Sequence, residues 1–147
     1  MRIIVAMLTG AGLIASPASA MQKLGERTMP PEEILAQMGL GVSDEELERA
    51  VAAASAHPLG TAANPVRAGG PDGERAYIAR LRCADGARPR VGTRGSAGTG
   101  AFGTIIDVYP LDCGAAAPGR FDLVMDMYHE EHDEGRAPAG FGIDPRP

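Results

Sequence analysis

Beyond Gly60, the apolar residues of this chain alternate with polar ones in short runs that glycines separate. Fifteen of its 20 glycines lie between Gly60 and Gly142. Period two with one apolar face is typical of half-buried antiparallel strands, and glycine permits the tight turns between them. The predicted strands are Ala76–Cys83, Thr104–Leu111 and Arg120–Tyr128, with weaker ones at Arg90–Thr93 and Gly140–Ile143. We therefore expect a small, mainly antiparallel sheet.

Two short helices are predicted ahead of this sheet. Pro30 and Pro31 suit a first helical turn, and Gly39 occupies the position of a C-terminal cap. A second helix is indicated by Ser43 and Glu46, which have the spacing of a capping box. Its apolar positions follow the helical spacing i, i+3, i+4 and i+7 and are Leu47, Ala50, Val51 and Ala54. The expected fold class is α+β: two short N-terminal helices followed by a small, mainly antiparallel β-sheet.

The two cysteines, Cys83 and Cys113, lie at or just past the ends of two predicted strands. In an oxidising compartment their pairing is the default. A redox or metal-binding pair is the alternative, but the spacing is not C-x-x-C. Neither cysteine begins a predicted helix either, where the pKa of a thiol falls. We therefore expect one structural disulfide, which closes a loop of about 31 residues.

The first twenty residues have the layout of a secretory signal peptide. Arg2 provides the positive start, an apolar run covers Ile3–Ala15, and Ala18-Ser19-Ala20 has the A-x-A form of a cleavage site. As a helix, that run would span about 20 Å, less than the ~30 Å hydrocarbon core of a bilayer. Initiation at Met21 is the alternative. We expect cleavage after Ala20, a periplasmic or secreted product, and no membrane insertion of the mature chain.

The expected organisation is a signal peptide at 1–20, a helical segment at 21–58 and a β-rich domain at 59–147, the last two packed as one globular unit. A chain of 147 residues has no room for a two-domain enzyme of the usual size. Its formal net charge of −5 argues against general affinity for nucleic acid.

The most specific polar cluster of the sequence is a candidate metal site near the C-terminus. His129 and His132 have the spacing that puts two imidazoles on one helical face, and Asp126 or Asp133 falls three or four residues from His129. Imidazole and carboxylate suit Zn²⁺ or another divalent transition metal. The order His-Glu-Glu-His is not the metalloprotease motif. A solvated acidic loop with titrating histidines is the alternative.

An arginine-rich segment is the candidate anion site. Six arginines and a single acid, Asp85, lie between Arg75 and Arg94. Guanidinium groups next to a glycine-rich loop can bind phosphate, sulfate or carboxylate. The candidate residues are Arg80, Arg82, Arg90 and Arg94. A solvated sheet face that balances the acidic C-terminal region is the alternative.

Nucleophilic catalysis has little support in this sequence. Ser96 lacks the G-x-S-x-G elbow, and no spacing places a histidine beside it. We therefore expect a small exported protein with a non-enzymatic role, which binds a small ligand or a partner protein of the cell envelope. The alternative is a divalent-metal-binding protein or a metal-dependent hydrolase built on His129 and His132, with Zn²⁺ as the cofactor.

Overall fold

The computed structural model of this protein describes residues 43–146. Within that range, the helices and strands are α1 (Asp44–Ala54), β1 (Val66–Arg67), α2 (Gly70–Arg80), β2 (Leu81–Arg82), β3 (Arg90–Val91), β4 (Gly95–Thr99), β5 (Ile105–Asp112), β6 (Arg120–Asp126) and β7 (Gly142–Ile143). No helix within 43–146 is long and apolar enough to cross a membrane. The predicted signal peptide and the predicted helix after Pro30 lie outside the described residues. They stay predictions, as does the division of the chain at residue 58.

Helix α1 begins where the capping box predicts. The backbone N–H of Glu46 donates to Oγ of Ser43 at 3.3 Å, and the backbone N–H of Ser43 donates to Oε2 of Glu46 at 3.0 Å. These bonds satisfy donors that the start of a helix otherwise leaves to solvent. The prediction of this helix is confirmed, whereas its predicted neighbour lies outside the described residues.

Strands β5 and β6 form the long central hairpin of the main sheet. Six residue pairs join them, from Asp107–Met125 to Asp112–Arg120. β3 and β4 pair with β5 in antiparallel orientation, whereas β1 lies parallel to β6. The sheet is therefore mixed, and the prediction of a mainly antiparallel sheet is wrong. Strand β1 has two residues, which is too short for an alternating pattern to indicate how it pairs.

A helix, α2, occupies most of the segment Ala76–Cys83, which is predicted to be a strand. Its buried side chains and its C-cap residue follow the helical spacing i, i+3, i+4 and i+7. They are Glu74, Tyr77, Ile78 and Leu81. Pro71 in its first turn suits a helix start. Over so few residues, apolar positions that fit period two also fit a helical face. The strand prediction is therefore wrong, and so is the placement of all helices before the sheet, because α2 lies between β1 and β2.

The hydrophobic core lies between α2 and one face of the main sheet. Its fully buried aliphatic members are Val66, Leu81, Leu123 and Met125. Each such side chain contributes about 1.5–3 kcal/mol by leaving water. Tyr77 and Tyr109 complete this core in a chain that has no tryptophan. Because one side of α2 packs on the sheet, its opposite side faces solvent.

A second, two-stranded sheet fixes the C-terminal segment beside the end of α2. In this sheet β2 and β7 pair through Leu81–Ile143 and Arg82–Gly142. The backbone N–H of Asp144 then donates to the carbonyl of Arg80 at 2.9 Å. The residues after β7 are therefore held against the last turn of α2.

Cys83 and Cys113 form the predicted disulfide, with their Cα atoms 5.8 Å apart. The bond joins the turn after β2 to the end of β5. In that turn the backbone N–H of Gly86 donates to the carbonyl of Cys83 at 2.9 Å, and Gly86 has a φ of +81°. A left-handed φ is one that glycine adopts without strain, so Gly86 suits this turn.

Substituting Gly60 by alanine tests how closely the chain passes the core. Gly60 has a φ of +84°, and an added Cβ would lie 3.0 Å from Cδ1 of Leu123. We expect Gly60→Ala to lower the free energy of unfolding by about 2 kcal/mol, measured by urea denaturation. Gly86→Ala is the matched control, because its φ is similar but nothing lies within 4 Å of the added Cβ. Equal losses of unfolding free energy in the two variants would show that the contact with Leu123 contributes nothing to the effect.

Candidate functional site

An open cleft of about 640 Å³ runs along the solvent side of α2. Its other walls are the segments 130–134, which follows β6, and 144–146, which follows β7. The cations in its lining are Arg67, Arg80, Arg82, Arg88 and Arg146, and we refer to it as the arginine cleft. Its volume is in the range of pockets that hold small molecules, about 300–1,000 Å³.

Arg67 is a half-buried cation of this cleft, positioned by β1 at the edge of β6. Its Cζ atom lies 5.9 Å from the ring centroid of Phe102, which is buried. Among the described residues, no carboxylate lies within 4.0 Å of the guanidinium and no group accepts a hydrogen bond from it. Burial lowers the pKa of Arg67, because the charged form loses hydration. An anion beside Arg67 would compensate that loss through two parallel hydrogen bonds.

Most other arginines of the cleft already have a counter-ion. Their ion pairs are Arg80–Asp133, Arg82–Asp144 and Arg146–Asp133. Arg80 is the most buried of these, at 12% exposure, and its Nη2 also donates to the carbonyl of Glu134 at 2.7 Å. The lining as a whole carries five guanidinium groups and four carboxylates, so its net charge is +1 while His132 is neutral.

Asp126 and His129 form a buried pair at the end of β6. Asp126 is fully buried and accepts hydrogen bonds from Oγ1 of Thr104 and from the backbone N–H of Tyr128, the latter at 3.1 Å. Nε2 of His129 lies 3.5 Å from Oδ2 of Asp126, and its ring stands edge-on to Phe102 with 5.4 Å between centroids. Asp126 thus ties the start of β5 and the segment after β6 to the end of β6.

His132 has a different carboxylate neighbour, Glu134. Its Nε2 lies 3.7 Å from Oε2 of Glu134, and Nε and Nη2 of Arg136 donate to the same carboxylate at 2.9 and 2.8 Å. Burial alone would raise the pKa of Glu134, but the hydrogen bonds from Arg136 outweigh it and lower the pKa to about 2. Burial lowers the pKa of His132, and the charge of Arg67 lowers it further. Glu134 is therefore ionised at neutral pH.

The four residues of the predicted metal site do not form one cluster, because they take part in three separate sets of interactions. Asp126 contacts His129, His132 contacts Glu134, and Asp133 pairs with Arg80 and Arg146. Among residues 43–146, no group of three or more metal-ligating side chains is disposed to hold an ion. The metal hypothesis stays a prediction, which elemental analysis of the purified protein tests directly.

The four residues of the predicted anion site also separate. Arg80 and Arg82 line the arginine cleft, whereas Arg90 pairs with Asp112 at 2.8 Å and Arg94 pairs with Asp107 at 2.5 Å. Two further cations of the cleft, Arg67 and Arg146, lie outside the arginine-rich segment. Arg67 lies just before α2 in the chain, whereas the pairing of β2 with β7 brings Arg146 to α2.

A second polar cluster lies on the inner side of α2. Glu74 is fully buried, and Oη of Tyr109 donates to its Oε2 at 2.8 Å. Arg94 lies across the pair of acids, with Nε 4.0 Å from Glu74 and Nη2 2.5 Å from Asp107. Burial raises the pKa of Glu74 to about 7, and the neighbouring charge of Asp107 raises it as well. At lower pH this carboxyl is therefore held protonated within the fold.

Comparisons with known proteins do not indicate what these two clusters do. No family model matches the chain, and no curated protein or solved structure matches it either.

Proposed function

We propose that this protein is exported and binds a small anionic ligand in the arginine cleft. The observation that carries the proposal is Arg67, whose guanidinium is half-buried against Phe102 and has no carboxylate of the described residues within 4.0 Å. A partly desolvated charge that no carboxylate contacts destabilises a fold. Glu134 and Asp126 offset this cost for Arg67 only through longer-range attraction. The anionic group of a ligand is the natural counter-ion, because the cleft is open to solvent beside Arg67.

A small ligand fits the surface better than a partner protein of the envelope does. Ligand sites are concave, and this cleft combines the apolar groups of Ala76 and Ala79 with charged side chains that can orient a ligand. A protein partner would instead require a larger, flatter patch of exposed apolar side chains. We therefore favour the small ligand of the two binding roles.

Export is supported by the disulfide together with the first twenty residues. Disulfides form and persist in the periplasm and outside the cell, and Cys83 and Cys113 are paired. The positive start, the apolar run and Ala18-Ser19-Ala20 have the order of a signal peptide. Both features support a periplasmic or secreted location for the proposed binding protein.

The proposal predicts saturable anion binding that depends on Arg67. We expect acetate and inorganic phosphate, titrated separately into ¹⁵N-labelled protein at low salt, to shift amide resonances around Arg67, Gly69 and His132. Arg67→Ala should raise the dissociation constant at least tenfold, because a bidentate charged hydrogen bond is removed. Added salt should weaken the binding of both anions.

Arg75→Ala is the matched control for this titration. Arg75 lies on the same helix, is exposed, pairs with Asp72 and does not line the cleft. Its removal changes the net charge of the protein as Arg67→Ala does, yet should leave both dissociation constants within twofold. The proposal is overturned if neither anion gives a saturable shift, or if Arg67→Ala binds as the unmodified protein does.

A further inference from the structure

The wall that α2 gives to the arginine cleft exposes only apolar groups from Gly73 to Ala79, because Tyr77 is buried there, and Arg80 ends it. Gly73, Ala76 and Ala79 line the cleft from the helix, and Ala68 and Gly69 line it just before the helix begins. Ala76 and Ala79 are exposed, so their methyl groups face the open space of the cleft. A helix rises about 9 Å over the six residue steps from Gly73 to Ala79. An apolar strip of about that length therefore starts near Arg67.

Among the described residues, two cations of the cleft have no ion pair: Arg67, which is half-buried at the start of this strip, and Arg88, which is exposed. Arg67 precedes α2, whereas Arg80 and Arg82 lie at its far end and are paired with Asp133 and Asp144. Nε2 of His132, next to Arg67, is buried and has no hydrogen-bond partner within residues 43–146. The cleft thus offers a hydrogen-bonding, cationic end and a long apolar side.

The charge balance favours a ligand with one negative charge. The lining has a net charge of +1, which a monoanion neutralises. A dianion such as phosphate on Arg67 would leave an excess of negative charge near Glu134 and Asp126, the acids whose charges already act on that guanidinium. The fork of a guanidinium also matches the two oxygens of a carboxylate.

We propose that the ligand of the arginine cleft is an organic monocarboxylate with an apolar body, whose carboxylate lies on Arg67 and whose body lies along Ala76 and Ala79. This inference depends on the proposed function, because it specifies the ligand of the same site. The length of the strip limits how many methylenes of the ligand can pack against α2. A chain of about eight carbons is about as long as this strip from Gly73 to Ala79.

A chain-length series tests this proposal by titration calorimetry of the purified protein at low salt. Acetate, butanoate, hexanoate and octanoate are the probes. Octylamine is the control, because it has the same kind of apolar chain as octanoate but a positive charge. Each methylene that the strip covers adds up to about fourfold in affinity. We expect octanoate to bind at least tenfold more tightly than acetate, and octylamine not to compete with it.

The outcomes separate the two proposals. If octanoate binds no better than acetate while both depend on Arg67, the apolar body is overturned and anion binding stands. If octanoate binds equally well to the Arg67→Ala variant, the carboxylate is not held by Arg67 and the inference fails. If no carboxylate or phosphate binds at all, the proposed function itself is overturned.

Ala76→Gln tests the placement of the apolar body. The substitution keeps the charge and the helical propensity while it puts a polar amide on the strip. We expect the affinity for octanoate to fall at least fivefold and the affinity for acetate to change less than twofold. Ala52→Gln, at an exposed position of α1 outside the cleft, is the matched control. Unchanged octanoate affinity in Ala76→Gln would contradict the placement along α2.

Discussion

Glu74→Gln is expected to remove the fall in stability that ionisation of Glu74 should cause between pH 4.5 and pH 7. Burial raises the pKa of Glu74 from 4.5 to about 7, so the native state retains this proton over a range in which the unfolded chain releases it. Stability from this group is complete below pH 4.5, falls as the pH rises, and is lost above about 7. The free energy of unfolding should fall by the order of 3 kcal/mol across that range.

Urea unfolding at a series of pH values, followed by circular dichroism, measures this effect. Glutamine can accept the hydrogen bond of Tyr109 and does not titrate. The unfolding free energy of the variant minus that of the unmodified protein should therefore rise by the order of 3 kcal/mol from pH 4.5 to pH 7. The difference is needed because His132 acts in the opposite direction: its lowered pKa makes stability rise with pH up to its unfolded value of 6.5.

Glu131→Gln is the control for the loss of one carboxylate. Glu131 is exposed and lies in the segment after β6. Its curve should run parallel to that of the unmodified protein across the whole range. If the Glu74→Gln curve also runs parallel, Glu74 does not hold a proton in the native state.

The cluster around Glu74 could not be predicted from the sequence, and the reason is its topology. Glu74 comes from α2, Asp107 and Tyr109 come from β5, and Arg94 comes from the segment before β4. No spacing along the chain relates them. A single glutamate among exposed neighbours, Asp72 and Arg75, gives no local sign that it points into the core.

Local signals, in contrast, predict the elements that depend on few neighbours. The capping box of Ser43 and Glu46 marks the start of α1, because its hydrogen bonds close within one turn. Alternation over seven or more residues predicts β5 and β6, since both faces of a long strand are sampled. Two cysteines in a chain with a signal-like start predict one disulfide without any choice of partner.

Prediction fails where tertiary contacts decide between two local solutions. Tyr77 and Leu81 fit an alternating strand and a helical face equally well, and packing on Leu123 and Met125 selects the helix. The pairing of Arg90 with Asp112 follows from the register of β3 on β5, which has no local signal. The arginine-rich segment is therefore divided between a cleft and a sheet edge.

Loss of the disulfide is expected to have the other large effect on this protein. Cys83 and Cys113 close a loop with a sequence separation of 30 residues. In the chain-entropy model, such a cross-link stabilises the fold by about 3–4 kcal/mol, because it restricts the unfolded chain. Cys83→Ala combined with Cys113→Ala should lower the free energy of unfolding by that amount. The melting temperature should fall by roughly 10–20 °C.

Reduction provides the matched comparison for this double variant. The unmodified protein in excess dithiothreitol should unfold near the midpoint of the double variant, whereas the reductant should leave the double variant unchanged. Cys83 directly follows Arg82, which lines the arginine cleft. Loss of the disulfide should therefore weaken octanoate binding, but by less than Arg67→Ala does. A double variant as stable as the unmodified protein would show that β2, β7 and the core hold this turn without the covalent bond.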